Sequence, residues 1–250
     1  MQLKKSMGQN FLKDANILRK EVVVGDVAGK HVLEIGPGDG RLTEKILEAG
    51  PKHVTVVEKD ARFVAFLRQR FANDIEAGRL EVVEADFLEF GPGERTFEAI
   101  LGNIPYYISS AIIFRLKDFD FGRAVLIVQK EFAKKMVAKP NQANYGRLSV
   151  TSQLFFNVGY VQVVPKHLFS PAPKVDSAMI KLEKTGLTLS REEEDIIRML
   201  FQHKNQSVRK SLTHGKVAKD KLSALGDYEK RRVRTLSKDE CLEIAKMLKE

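Results

Sequence analysis

Asn103-Ile104-Pro105-Tyr106 gathers a carboxamide, a backbone held by proline and a phenol in one short stretch. Together they suit the grip of a flat base that carries an exocyclic amine. The Asn103 carbonyl oxygen can accept a hydrogen from the NH₂ group. Pro105 has no N–H and biases Ile104 towards an extended shape, which leaves the Ile104 carbonyl free as a second acceptor. Tyr106 offers a face for stacking, worth roughly 1–3 kcal/mol per base. The same residues also fit a strand-ending turn whose Asn caps the next helix.

A second group of residues could hold a donor. Gly36-Pro37-Gly38-Asp39-Gly40 follows a predicted strand and opens a helix, where backbone N–H groups and the positive helix end meet a ligand. A dinucleotide fingerprint wants glycine at the first, third and sixth turn positions, and the sixth here is Arg41. That disfavours a pyrophosphate and a nicotinamide-dependent oxidoreductase. Glu34, just before the turn, suits a ligand bearing an ammonium. Glu58 ends the next strand, where a carboxylate can accept both hydroxyls of a ribose. Asp86 ends the third, where it can accept from an adenine amine, with Phe87 beside it. One acid per strand end plus a glycine turn is the layout expected for S-adenosylmethionine, which is cationic at sulfur.

The reaction these residues imply is methyl transfer to the exocyclic nitrogen of adenine. Its lone pair is delocalised into the ring, so positioning and preorganised acceptors must free it. Asn103, Pro105, Tyr106 and Phe169 are the candidate catalytic residues, with Tyr106 and Phe169 on the two faces of the base. The base has to be flipped out or already unpaired. No metal is expected, since His31, His53, His167, His203 and His214 follow no ligand spacing.

The elements that must position these groups follow in order. Residues 1–13 look irregular, and Asp14 can cap a helix running towards Val27. Strands are expected over 31–35, 54–57, 80–83, 97–102 and 123–128, and helices over 41–49, 61–72 and 129–138. Phe63, Phe66, Leu67 and Phe71 fall at helical spacing and read as core. Tyr145-Gly146-Arg147 leads into a helix towards Phe156. Residues 158–164 and 178–182 read as an antiparallel pair, with 166–177, which holds Pro171 and Pro173, as a loop. The whole is an α/β fold, a doubly wound, mostly parallel seven-stranded sheet with an antiparallel edge. After a linker over 185–190, short helices are expected over 191–202, 206–212, 216–225 and 238–248. Two domains follow, 1–184 and a small all-helical 185–250.

The 250 residues, 43% of them hydrophobic, allow a sizeable core. A net charge of +9 points to an anionic partner, of which nucleic acid is the commonest. Lys130, Lys134, Lys135 and Lys139, with Arg209, Arg231, Arg232 and Arg234, are candidate phosphate contacts. Cys241 is the single cysteine, which excludes an intrachain disulfide and a cysteine zinc site. No apolar run approaches the roughly 20 residues of a membrane helix. No apolar signal core follows the lysines at the N-terminus, so a cytoplasmic location is expected, or an organelle after loss of a presequence.

These motifs recur together in one family. Gly8-Gln9-Asn10-Phe11-Leu12, the 34–40 turn, Glu58, Glu84-Ala85-Asp86-Phe87, Asn103 to Ser110 and Phe169-Ser170-Pro171-Ala172-Pro173-Lys174-Val175-Asp176-Ser177 occur in that order. The chain resembles the ribosomal RNA adenine dimethyltransferases over essentially its whole length. It is most similar to the universal family that dimethylates two adjacent adenosines near the 3′ end of small-subunit rRNA. The macrolide-resistance methyltransferases of large-subunit rRNA share most of the motifs. Ala111 stands where many members have proline, and His203-Lys204-Asn205-Gln206 looks more like the archaeal pattern.

The resemblance implies a Rossmann-like class I methyltransferase domain and a helical domain that contacts RNA or the ribosome. It implies S-adenosylmethionine contacts from Asn10, Leu12, Gly36, Glu58, Asp86 and Asn103, to which the residue reading adds Gly38 and Phe87. S-adenosylhomocysteine would be the product, and small-subunit rRNA in the pre-30S or 40S particle the partner, with a late role in subunit assembly. A monomer is expected. The alternatives are a large-subunit methyltransferase and a non-catalytic assembly factor on the same fold.

Overall fold

The computed structural model describes residues 10–93 and 95–249; Gly8 and Gln9 of the N-terminal motif lie outside them. The chain runs β1 (Phe11–Leu12), α1 (Ala15–Gly25), β2 (His31–Ile35), α2 (Arg41–Glu48), β3 (His53–Glu58), α3 (Ala61–Arg70), α4 (Ala72–Glu76), β4 (Leu80–Glu84) and β5 (Ala99–Asn103). It continues with α5 (Ser109–Arg115), β6 (Arg123–Gln129), α6 (Lys130–Met136), α7 (Arg147–Phe155), β7 (Phe156–Val164), β8 (Phe169–Ser170) and β9 (Ser177–Lys184). The last helices are α8 (Arg191–Gln202), α9 (Val208–His214) and α10 (Lys238–Lys249).

The main sheet has seven strands in the order β4-β3-β2-β5-β6-β9-β7. Pairings from β4 through β6 are parallel, and β9 runs antiparallel to β6. The expected architecture is therefore present. β5 and β6 carry continuous apolar runs and β2 is apolar apart from His31 and Glu34, as expected of strands covered on both faces by helices; Val32, Leu33, Ile100, Leu101 and residues 124–126 are fully buried. From β2 the chain steps outward through β3 to β4, then returns to the other side of β2 with β5. Ligands bind where the strand order reverses, outside the carboxyl ends of β2 and β5.

Local chemistry fixes the helix starts. The Asp14 carboxylate accepts from the N–H groups of Asn16 at 3.0 Å and Ile17 at 2.9 Å, which begins α1 as expected. Asp60 accepts from Arg62 N and begins α3. Ser190 and Glu193 form a reciprocal capping box on α8.

Several sequence expectations change. Helix 61–72 breaks at Phe71, and Phe66 is 39% exposed whereas Phe63, Leu67 and Phe71 are core. Phe11–Leu12, read as irregular, pairs antiparallel with Phe169–Ser170, read as loop. The helix expected over 216–225 is replaced by 3₁₀ turns over Lys221–Tyr228, interrupted at Gly226 with φ 50°.

By packing the chain forms two compact units, Met1–Ala133 with Gly159–Lys184, and Lys134–Val158 with Thr185–Glu250. The expected boundary at 184/185 is one limit of the second unit. However, residues 134–158, assigned to the first domain from sequence, belong to the second unit. The reason is the face of α7: Val150 and Leu154 share a core with Ile197 and Leu200 of α8, Leu212 of α9 and Ile244 of α10. Tyr145 completes it, its hydroxyl donating to the Leu236 carbonyl at 2.6 Å.

Candidate active site

The carboxyl ends of β2, β3 and β5 open into one cavity of the first unit, also lined by Phe11, Leu12 and Phe169. The turn after β2 forms its floor. Gly36 and Gly38 have φ of 65° and 55°, conformations that L side chains rarely adopt. A Cβ on Gly38 would stand 2.4 Å from Phe11 Cε1, so glycine here is what lets β1 lie against the turn. Gly38→Ala is expected to cost about 1–2 kcal/mol of strain in the left-handed region, with Phe11 displaced in addition. Thermal melting should record the loss, and a titration should show at least about tenfold weaker binding of S-adenosylmethionine.

Glu58 at the end of β3 is tied into the same floor. One carboxylate oxygen accepts from Gly38 N at 3.2 Å, the other from Asp60 N at 2.9 Å. Burial pushes its carboxyl above the usual range, and the backbone N–H groups of Asp60, Gly38 and Lys59 pull it back. The side chain is therefore oriented, with lone pairs left for a ligand's hydroxyls.

At the end of β5 the Asn103 carboxamide oxygen is buried and has no hydrogen-bond partner among the described residues. A buried acceptor left unmade costs roughly 1–3 kcal/mol, so a partner supplied by a ligand restores what folding forfeits. Pro105 holds φ −60° and ψ 135° before a 3₁₀ turn, and no backbone donor among the described residues reaches the Ile104 carbonyl. Tyr106 is half-buried, its hydroxyl 2.6 Å from Ser177 Oγ, which fixes the ring. Phe169 is 5% exposed and backed by the β1–β8 pairing. Asn10, Leu12, Phe87, Asn103, Pro105, Tyr106 and Phe169 all line the cavity.

Asp86 is the predicted site residue the structure leaves off the cavity wall, while its neighbour Phe87 is on it. Its carboxylate accepts from Leu88 N at 3.0 Å and from Lys59 Nζ at 3.1 Å. The Leu88 N–H, with Lys59 behind it, holds the carboxyl below the usual range.

Glu34 corrects an expectation. It lines the cavity but is 1% exposed, accepting from Thr43 Oγ1 at 2.6 Å. Burial, reinforced by Glu58 and Asp39 and offset in part by Thr43, pushes its carboxyl up to about 8. Burial therefore favours its protonated form near neutral pH, where the sequence suggests a carboxylate. Phe11, Lys59 and Tyr107 also line the cavity and were not singled out from sequence. Phe11 stands inside the quoted motif, between Asn10 and Leu12, and that was its only signal.

Of the basic residues, Lys130 pairs with Asp176 at 3.3 Å, Arg209 with Glu229 at 2.9 Å and Arg231 with Glu240 at 2.6 Å. Arg232 and Arg234 make no ion pair among the described residues. Among those residues no three His, Cys, Asp or Glu side chains are grouped to hold a metal ion, and no helix is long and apolar enough to cross a membrane.

Comparison with known proteins gives this geometry a family. The family model for ribosomal RNA adenine dimethylase matches residues 1–250. A relative from Thermococcus onnurineus, a probable ribosomal RNA small subunit methyltransferase A, is 39% identical over 97% of this chain and 91% of its own. The ribosomal RNA small subunit methyltransferase A of Chlorobium limicola is 40% identical over 99% and 94%. Among solved structures, a dimethyladenosine transferase from Plasmodium falciparum superposes with a TM-score of 0.82, at 31% identity over 94% of this chain and 95% of that one. The 23S rRNA methyltransferase ErmE superposes at 0.70, with 28% identity over 96% and 100%. With its strand-end cavity, class I sheet and full-length match, the chain belongs to the ribosomal RNA adenine dimethylase family and is an S-adenosylmethionine-dependent methyltransferase.

Proposed function

We propose that the chain dimethylates the exocyclic nitrogens of two adjacent adenosines near the 3′ end of small-subunit rRNA, within the pre-30S or 40S particle. The observation that carries this reading is the buried, unpartnered Asn103 carboxamide oxygen at the end of β5. The match to small-subunit relatives at about 40% identity, against 28% for the large-subunit ErmE, favours the small subunit.

The residues present fit S-adenosylmethionine. Glu58 would hold the ribose hydroxyls, the turn at Gly36 and Gly38 would pass beneath the methionine moiety, and Asn10, Leu12 and Phe87 would complete the walls. Asp86 would accept from the adenine amine with a lone pair that its bonds to Leu88 N and Lys59 leave free. When bound, the donor supplies an electrophilic methyl group and leaves as S-adenosylhomocysteine.

Asn103 Oδ1 accepts one hydrogen of the target amine and the Ile104 carbonyl accepts the other. With both held out of the ring plane, the nitrogen lone pair is no longer committed to the ring and points where attack must occur. Tyr106, fixed by Ser177, covers one face of the base, and Phe169 the other. Methylated, the nitrogen carries an acidic proton that it loses to water without a strong base. Arg232 and Arg234 of the helical unit are left to meet rRNA phosphates. The working state is a monomer in the cytoplasm.

The test incubates the purified chain with labelled donor and under-methylated small or large subunits, then maps the rRNA by primer extension. Two adjacent stops near the 3′ end of the small-subunit RNA are expected. Label confined to large subunits would replace the reading with the macrolide-resistance type, and no label on either would favour an assembly factor without turnover.

A further inference from the structure

The turn after β5 carries a second aromatic residue that the proposed transfer does not use. Tyr107 lines the cavity, yet it is 62% exposed, the most exposed aromatic side chain among the described residues. Its hydroxyl has no hydrogen-bond partner among those residues. Tyr106, beside it in sequence, is half-buried, with its hydroxyl 2.6 Å from Ser177 Oγ. The two rings differ in kind: one is fixed from behind, and the other stands open at the cavity mouth.

An exposed tyrosine on a loose loop needs no explanation. This one sits on a turn that hydrogen bonds close around it. Ile108 N donates to the Pro105 carbonyl at 3.2 Å, Ser109 N to the Tyr106 carbonyl, and Ser109 Oγ to the Pro105 carbonyl at 3.1 Å. Ser109 is 1% exposed and begins α5, which anchors the turn on its far side. Pro105 restricts the backbone on its near side. Tyrosine has only two side-chain torsions to lose, so a ring on such a base takes a flat partner at low entropic cost.

The partner that suits this ring is a nucleobase. Arg41 and Lys59, the cations that line the cavity, are held by Asp39 at 2.9 Å and Asp86 at 3.1 Å, so the free feature at the mouth is an aromatic face and not a charge. An unpaired strand brings further bases to the mouth beside the one inside. Successive bases of such a strand stack on successive aromatic side chains, and every base has a face to offer. Tyr106 and Phe169 are taken by the target base in the proposed mechanism, which leaves Tyr107 for its neighbour.

We propose that Tyr107 is a specificity residue whose open ring stacks on the sister adenosine of the pair while the other occupies the pocket. This rests on the reading that the chain methylates two adjacent adenosines at this cavity. Holding the flanking base sets the register of the strand, so that one adenosine enters and the next waits at the rim. An RNA strand has a direction, and Tyr107 lies on one side of the mouth. It therefore meets the 5′ or the 3′ neighbour but not both, and the sister base is held during only one of the two transfers.

The test measures methyl transfer by the full chain to under-methylated small subunits, counting methylated adenosine by mass spectrometry of the excised rRNA fragment. Tyr107→Ala should melt with the parent and bind S-adenosylmethionine within about twofold, since the ring is exposed. Its KM for the particle should rise about five- to tenfold, with kcat changed much less. Tyr107→Phe keeps the ring and should match wild type. Two further particles, reconstituted with one or the other adenosine abasic, decide the partner. On one of them wild type and Tyr107→Ala should become equal, because no base is left to stack; on the other the gap should persist. The same behaviour on both, gap kept or gap lost, overturns the inference. So does a Tyr107→Ala variant with unchanged KM, or one whose donor affinity falls as far as its KM for the particle rises. No methylation of the intact particle by wild type overturns the functional reading, and this inference with it.

Discussion

An Asn103→Ala chain is expected to fold, to bind S-adenosylmethionine within a few-fold of the parent, and to methylate small subunits at least about 10²-fold more slowly. The fold should survive because the side chain removed contributes an acceptor that nothing in the protein satisfies. Deleting such a group removes a desolvation penalty as well as a few packing contacts, and the two partly offset. Donor affinity should largely survive because the floor built from Gly38 and Glu58 is untouched. The rate should fall if the acceptor holds an amine hydrogen at the moment of transfer as proposed, the kind of preorganised contact whose loss costs about 10²–10³ in turnover. Single-turnover transfer of labelled methyl groups, beside a donor titration on the same preparation, separates the two. Full activity in the variant would remove Asn103 from the mechanism.

Glu58→Ala should do the reverse. A carboxylate that accepts two ligand hydroxyls makes two charge-assisted hydrogen bonds, and losing them should weaken donor binding by about 100-fold or more. The variant should also melt lower than the parent, since Gly38 N and Asp60 N lose their acceptor and the turn its brace. Glu58→Gln keeps one acceptor and should fall between the two. The rise is expected in KM for the donor, with kcat at saturation changed much less. A Glu58→Ala chain that bound the donor as wild type does would show that the ribose lies elsewhere.

Much of the fold and the site was legible because it depends on short-range patterns. A glycine turn between a strand and a helix, an acid at each strand end and the Asn-Ile-Pro-Tyr stretch each occupy a few consecutive residues, and the mostly parallel, doubly wound sheet follows from the alternation of strands with amphipathic helices. What escaped depends on contacts distant in sequence. A two-residue strand such as Phe11–Leu12 has no periodicity to detect, and its partner at Phe169–Ser170 lies far along the chain. The apolar face of α7 says that it is buried but not against what, so residues 134–158 were grouped with the wrong neighbours. The charge of Glu34 follows from burial and from nearby acids, neither of which spacing reveals. Asp86 was read as a ligand contact because it ends a strand, and spacing did not show that its carboxylate also accepts from Leu88 N and Lys59.

The small β1–β8 ribbon makes two walls of the cavity into one clasp. Phe11, against the turn at Gly38, and Phe169, proposed to face the base, sit on paired strands, and Lys13 N adds a further bond to the Leu168 carbonyl at 2.9 Å. On the proposed reading, whatever lifts the first strand would uncover the nucleotide at the same stroke, so that emptying the donor half and letting go of the RNA would become a single mechanical event.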